Sequence, residues 1–236
     1  MKSDPKIFKD TLFLFDIDDT LTNSMSRGSQ CFAQTFKDLY DIDGVSINWS
    51  NYPHVTDWGL SYSLFKEHFN KAPQAKDLEK IEKHYNGLLE KTYENPNSIS
   101  AIDGAKSFFK ELKNYDIPLA LATGGWSISA RLKLSKAGYN FGDLPLGSSN
   151  DAWSRDSIMK TAIQKAKSYY QKDLNNIIYF GDGVWDFYTC QKVNIPLIGI
   201  DIHQNNRLKD LGLDHVFSNF EEKERILHSA QLLLNL

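Results

Sequence analysis

Cysteine is scarce in this sequence. Among 236 residues there are only two, Cys31 and Cys190, which are far apart and lack the spacing of a metal site. A disulfide framework or a zinc site built on cysteines is therefore excluded. We expect both thiols to be reduced and to serve as packing residues.

Long apolar runs and an excess of positive charge are also missing. No apolar stretch approaches the length of a membrane span, and the first residues carry no signal-like apolar core. The net charge of −3 provides no global positive field that would attract nucleic acid. These absences predict a cytoplasmic protein whose partners include neither a membrane nor nucleic acid.

What the chain does contain is an alternation of short apolar runs with helical patterns. The runs typical of buried strands cover residues 12–15, 117–123, 141–147, 176–180, 196–200 and 215–217. Helical patterns follow several of them, including one through Ile128, Leu132 and Leu134. Strands that alternate with helices predict an α/β fold: a three-layer, Rossmann-like core with a parallel sheet.

Residues 23–98 interrupt this alternation. They contain no convincing buried strand, and apolar residues such as Phe32 and Phe36 recur at helical spacing. The pattern predicts an α-helical domain, residues 23–98, inserted into a core made of residues 1–22 and 99–236.

Acidic residues follow the first predicted strand at once. In an extended segment, Asp16 and Asp18 lie on the same side of the chain. Unpaired charges beside a core are costly, and a hard cation such as Mg²⁺ would relieve that cost. The alternative is an acidic turn without a metal.

Two other predicted strands end in polar residues. The run at 117–123 ends in Thr123, followed by Gly124 and Gly125, and the run at 176–180 leads to Asp182 and Asp186. Ligands of parallel α/β sheets bind beyond the carboxyl ends of the strands. We therefore expect these side chains to gather with the first acidic pair at one edge of the sheet.

These segments carry a resemblance to a known family. Residues 16–20, Asp-Ile-Asp-Asp-Thr, match the motif Asp-x-Asp-x-Thr of the haloacid dehalogenase (HAD) superfamily. Thr123 matches its second motif, and residues 181–186 match its acidic motif Gly-Asp-x-x-x-Asp. The motifs occur in the family's order, and the chain most resembles phosphatase-type members related to phosphoglycolate phosphatase.

The resemblance implies roles for the acids. Asp16 would be a nucleophile that forms an aspartyl phosphate, and Asp18 would act as general acid and then as general base. Mg²⁺ would be held by Asp16, Asp182 and the carbonyl oxygen of Asp18, while Asp186 would act through water or by orienting the site.

The resemblance also implies a phosphate-binding loop. Thr123 and the amides of Gly124 and Gly125 would hold phosphoryl oxygens at a helix start. In the alternative interpretation Thr123 caps the helix and the glycines only turn the chain.

The family's third motif needs a cation, commonly a Lys followed by Pro, and this chain has no Lys-Pro pair. The candidates are Arg155 and Lys160. We favour Arg155, because it stands at a predicted helix entrance and its guanidinium suits phosphate.

The inserted helices correspond to the family's cap, a lid over small substrates. Residues 52–59 resemble its substrate-specificity segment, in which His54, Asp57 and Trp58 would face the leaving group. The alternative is a surface loop anchored by its tryptophan.

The sequence therefore predicts a Mg²⁺-dependent phosphatase that acts on a small phosphorylated metabolite. A phosphomutase of the sugar-phosphate type would share the nucleophile, the acid and the cap. A non-catalytic binding protein with a vestigial site is a second alternative.

Overall fold

A six-stranded parallel sheet forms the centre of the protein. The computed structural model describes residues 5–236. The strands stand in the order β3-β2-β1-β4-β5-β6, and all neighbouring pairs are parallel. Their bounds are β1 (Thr11–Phe15), β2 (Leu119–Ala122), β3 (Leu146–Gly147), β4 (Asn176–Gly181), β5 (Leu197–Ile200) and β6 (Val216–Phe217).

Strand β1 lies in the middle of the sheet and is buried on both faces. Phe13 and Phe15 belong to the core on one face, where the rings of Phe15 and Phe180 stack at 4.4 Å. Leu12 and Leu14 belong to the core on the other face. A continuous apolar run is what a central parallel strand with two covered faces requires.

Three helices follow β1 along the chain and make up the insertion. They are α1 (Met25–Tyr40), α2 (Asp57–Phe69) and α3 (Ala75–Thr92). Phe32 of α1 meets Tyr85 of α3 edge to face, with ring centroids 5.8 Å apart. The predicted α/β fold with a helical insertion is confirmed.

One helix follows the insertion and precedes β2, and the others follow the later strands. They are α4 (Ala105–Asn114), α5 (Ser127–Lys136), α6 (Arg155–Tyr170), α7 (Val184–Val193), α8 (Arg207–Asp210) and α9 (Lys223–Leu234). Within residues 5–236, none of the helices combines the length and the apolar character needed to cross a membrane.

One local prediction was wrong. The loop predicted over residues 52–59 ends at Thr56, because the Thr56 hydroxyl accepts a hydrogen bond from Gly59 N at 2.9 Å and begins α2 there. The short third strand predicted within residues 141–147 is confirmed, and it covers only Leu146–Gly147 because the chain turns at residues 142–143. In α5, Ile128 is 57% exposed, whereas Lys133 is buried on the same face as Ala130.

Candidate active site

The carboxyl ends of β1 and β4 bring three acids together. Side-chain oxygens of Asp16, Asp182 and Asp186 all lie within 4.8 Å of one another. The Asp16 amide donates to the carbonyl oxygen of Phe180 at 2.9 Å, which holds the two strand ends side by side. The predicted convergence of the motifs at one sheet edge is therefore visible in the structure.

Two of these acids have buried oxygens without a partner among the described residues. They are both carboxylate oxygens of Asp16 and Oδ1 of Asp182. Buried polar atoms nearly always find a partner, and an uncompensated buried charge is strongly destabilising. Oxygen atoms that converge without donors suit a hard divalent cation such as Mg²⁺, so the residues present fit this ion.

The electrostatics of the cluster point the same way. Burial raises the pKa of Asp16 well above its usual range, and the Arg155 guanidinium only partly opposes this. Burial also raises the pKa of Asp182, and the neighbouring carboxylates of Asp186 and Asp16 add to the effect. A bound divalent cation would favour the ionised form of both groups.

Asp186 differs from the other two because its oxygens are already engaged. It accepts hydrogen bonds from Arg155 Nη1 at 2.6 Å, from the Tyr179 hydroxyl at 3.3 Å and from Gly183 N at 3.0 Å. These contacts favour an orienting role, one of the two that the resemblance implies for this residue.

Arg155, the first residue of α6, lies between the acids and the inserted helices. Its Nη1 is 3.7 Å from Asp16 Oδ1, and its Nε donates to the carbonyl oxygen of Val55 at 3.1 Å. Lys160, by contrast, is 66% exposed at its side chain and lies 3.9 Å from Asp156. Of the two candidates for the third motif, only Arg155 reaches the acidic cluster.

The loop after β2 is in direct contact with the insertion. Thr123 Oγ1 accepts a hydrogen bond from Gly125 N at 3.1 Å, and the Gly124 carbonyl oxygen accepts one from Asp57 N at 2.7 Å. A Cβ atom at Gly124 would come within 2.6 Å of the Val55 carbonyl oxygen, so this close approach requires glycine. The Thr123–Gly125 bond is consistent with a turn-forming role, and phosphate binding by this loop stays a prediction.

A small cavity of about 50 Å³ lies between the sheet edge and the inserted helices. One wall is formed by Asp18, Thr123, Gly124, Gly125, Lys133 and Arg155, and the other includes Phe32, Trp49, Asp57 and Tyr85. Since a buried water occupies roughly 10–15 Å³ by this measure, the cavity has room for only a few waters or a small leaving group.

Of the three residues predicted to face a leaving group, one lines this cavity. Asp57 does so, and its Oδ2 accepts a hydrogen bond from Trp126 N at 2.9 Å. Burial raises the pKa of Asp57 to about 7, although the Lys133 ammonium opposes the shift. His54 packs on Trp153 with ring centroids 4.5 Å apart and lines an outer groove instead, while Trp58 is tied through its amide to Ser149 Oγ at 2.9 Å.

Lys133 was not anticipated. Its Nζ lies 2.7 Å and 2.9 Å from the two carboxylate oxygens of Asp18. The signal available in the sequence was its position three residues after Ala130 and beside Leu134, which together with Ser129 are the other buried residues of this helix. The helical pattern through Ile128, Leu132 and Leu134 does not show that this lysine is buried.

Residues 11–194 match a family model described as haloacid dehalogenase-like hydrolase. The chain belongs to this family of hydrolases. The predicted resemblance is thereby confirmed.

Solved structures of low sequence identity share this HAD fold. A hydrolase from Pseudomonas syringae superposes with a TM-score of 0.73 at 16% identity, covering 93% of this chain and 98% of that chain. A putative beta-phosphoglucomutase from Bacteroides vulgatus gives 0.72 at 14% identity, with 96% and 90% covered. A predicted phosphoglycolate phosphatase from Haemophilus somnus 129pt gives 0.61 at 15% identity, with 93% and 98% covered.

No curated protein sequence matches this chain closely enough to add to these comparisons. At these identities, the solved structures establish the fold alone.

The acidic cluster leads to a prediction about metal. Asp182→Asn replaces a charged ligand oxygen with a neutral one, so we expect Mg²⁺ affinity to fall by about tenfold or more. Chelation should remove activity from the unmodified protein, and Mg²⁺ should restore it. Mg²⁺ titrations followed by activity and by the shift in unfolding temperature would measure both effects.

The matched control is Asp173→Asn, an exposed acid outside the cluster. It should leave the Mg²⁺ titration unchanged. Turnover that persists in excess chelator would refute the assignment of the acids to a metal site.

Proposed function

We propose that this HAD protein hydrolyses a small phosphate monoester with the help of Mg²⁺, through an aspartyl-phosphate intermediate. The observation that carries the proposal is the state of Asp16: both of its oxygens are buried and find no hydrogen-bond partner within residues 5–236, at a sheet edge between Arg155 and Asp182. A carboxylate held in this way is suited to attack phosphorus rather than to stabilise the fold.

The first step would join an Asp16 oxygen to phosphorus while the ester oxygen leaves with its electron pair. A proton from Asp18, the acid beside the cavity, would neutralise the leaving alkoxide. In the second step water would attack the phosphorus atom and pass a proton to Asp18, which releases phosphate and restores the Asp16 carboxylate. Arg155 would stabilise charge on the phosphoryl oxygens during both steps.

Mg²⁺, held by Asp16, Asp182 and the carbonyl oxygen of Asp18, would supply the positive charge that lets an anionic nucleophile approach an anionic phosphate. The carboxylate of Asp186 would keep Arg155 in place through the hydrogen bond at 2.6 Å. Thr123 and the amides of Gly124 and Gly125 would bind phosphoryl oxygens when substrate replaces their present contacts.

We further propose that residues 23–98 act as a cap over a core of residues 1–22 and 99–236. Hydrogen bonds connect the cap segment to the core. They run from Asp57 N to Gly124 O, from Arg155 Nε to Val55 O and from Thr56 Oγ1 to Trp153 O. A lid that closes on the phosphate loop excludes water from the reaction. The expected substrate is a small phosphorylated metabolite of the cytoplasm.

A phosphomutase would use the same acids, and one observation weighs against it. A mutase must let its phosphorylated intermediate reorient beside the phosphoenzyme, whereas the cavity, which is partly open to solvent, measures about 50 Å³. The small volume supports transfer to water from a compact substrate.

The test is a screen of a few dozen metabolite phosphates with Mg²⁺ present, read by released inorganic phosphate. Release of phosphate in amounts equal to the free alcohol supports a hydrolase, whereas an isomeric phosphate ester as product would identify a mutase. If no phosphate ester turns over, the proposed function is wrong and a binding protein with a vestigial site is favoured.

The roles proposed for His54 and Trp58 in substrate choice stay a prediction. Replacement of either by alanine should change the ranking of natural substrates more than the rate on an activated aryl phosphate, whose leaving group needs little assistance. Kinetics on both substrate types measure this. Equal losses on both would mean that these residues support the fold, as the packing of His54 on Trp153 would suggest.

A further inference from the structure

The side chain that contacts Asp18 is unusual for its position. Lys133 is 4% exposed and Asp18 13% exposed at the side chain, and the ammonium contacts both carboxylate oxygens at 2.7 Å and 2.9 Å. Burying such a pair is a weak source of stability, because the cost of removing two charges from water offsets their attraction. A gain in stability therefore does not by itself account for a buried lysine at this position.

The two-point contact limits how the Asp18 carboxylate can turn. Ser24 Oγ also donates to Asp18 Oδ1 and is itself within 2.7 Å of Thr22 Oγ1. Both oxygens of Asp18 therefore have donors, in contrast to those of Asp16. The carboxylate of Asp18 consequently faces the cavity and does not belong to the cluster of Asp16, Asp182 and Asp186.

This orientation matters because Asp18 lies two residues from Asp16. A divalent cation at the acidic cluster would attract the Asp18 carboxylate as well, and a carboxylate drawn to the metal could not reach a leaving group. A fixed ammonium on the other side opposes that movement. Lys133 belongs to α5 and, like Asp18, lies outside residues 23–98, so their contact does not depend on a residue of the insertion.

Helix α1 has a glycine, Gly28, where it passes Lys133. A Cβ atom at Gly28 would lie 3.4 Å from Lys133 Nζ and 3.3 Å from the Tyr85 hydroxyl, closer than most side-chain contacts. Glycine at this position leaves room for the lysine ammonium and the tyrosine hydroxyl. The cavity between the sheet edge and the inserted helices is lined by both members of the pair of Lys133 and Asp18, and by Gly28, Asp57 and Tyr85.

We propose that Lys133 is a positioning residue, which holds the Asp18 carboxylate toward the leaving-group side of the cavity and away from the acidic cluster. The proposal rests on the proposed function and adds a residue to it. Lys133 acts through Asp18, so its contribution should disappear when Asp18 can no longer transfer a proton.

The test is a double-mutant cycle of Lys133→Met and Asp18→Asn, assayed on the best phosphate ester from the screen. We expect Lys133→Met to lower kcat about 100-fold with KM changed less than about threefold, since general acid–base catalysis contributes roughly 10²–10⁴. In the Asp18→Asn background the same substitution should change the residual rate by less than about threefold. Lys133→Arg keeps the cation and should recover part of the loss, while Lys136→Met, an exposed lysine on the same helix, is the control.

Circular dichroism and thermal unfolding establish that each variant is folded. If Lys133→Met does not fold, Lys133→Arg replaces it in the cycle, and the expected loss of kcat is then smaller. Equal losses with and without Asp18, or no loss at all, overturn the positioning role. If the unmodified protein turns over a phosphate ester and Asp18→Asn impairs it while Lys133→Met does not, this inference alone fails. If the unmodified protein turns over none, the proposed function fails and this inference with it.

Discussion

Asp16→Asn is expected to remove phosphate-ester hydrolysis while the protein stays folded. An amide oxygen is a far weaker nucleophile than a carboxylate oxygen, and loss of a covalent nucleophile lowers kcat on the order of 10⁴-fold or more. The fold should tolerate the change, because Asp16 makes no side-chain hydrogen bond among the described residues and its backbone amide still donates to Phe180 O. Released phosphate, together with a trapping experiment for the phosphoenzyme, measures the effect.

Asp19→Asn is the matched control. Asp19 adopts the left-handed conformation with φ of 52°, which asparagine tolerates, and its contacts to Met25 N and His203 can be kept by an amide. We expect this variant to retain activity within about tenfold. A folded Asp16→Asn protein that works at the unmodified rate would exclude the aspartyl-phosphate mechanism.

The second large effect is expected at Arg155. Arg155→Ala should lower kcat/KM by about 100-fold or more, because a donor to the charge that develops in the transition state is commonly worth several kcal/mol. The same change leaves the buried carboxylate of Asp186 without the guanidinium that lies 2.6 Å away, so stability should fall by about 3–5 kcal/mol. Denaturant unfolding and steady-state kinetics separate the two losses.

Two further variants make this prediction sharp. Arg155→Lys keeps a cation but loses the planar fork that spans Asp186, Asp16 and the Val55 carbonyl oxygen, so we expect a folded protein with a large part of the kinetic loss. Lys160→Ala should change kcat/KM less than about twofold, because its side chain is largely exposed. If Lys160→Ala proves to be the damaging change, the assignment of the third motif is wrong.

Much of the site could be predicted because its parts stand next to strand ends. Asp16 follows β1 and Asp182 follows β4, and the two strands pair in register from Thr11 with Asn176 to Phe15 with Phe180. Carboxyl ends of parallel strands share one edge of a sheet. Once the strands are identified in the sequence, the side chains that follow them are expected to lie at that edge. Arg155 was within reach for a similar reason, since it begins α6, a helix that packs against β1, β2 and β3 of the same sheet.

The contacts across the boundary between core and insertion could not be predicted in this way. The turn at residues 52–56 directs Asp57 toward the cavity and His54 toward Trp153, and no periodic pattern specifies the direction of a loop. Strand and helix spacing likewise left Lys133 as one more lysine on a surface helix.

By itself, the sequence determined the parallel α/β core, the helical insertion and the acids that meet at the strand ends, because apolar periodicity and strand-end position are local properties of the chain. Only the tertiary structure decided that Lys133 contacts Asp18, which is 115 positions away in the chain. The same is true of Asp57, which lines the opposite wall of the cavity. Whether a lysine is buried or solvated depends on which helix face is turned inward and on the charge it meets there, and both are settled only when the elements pack.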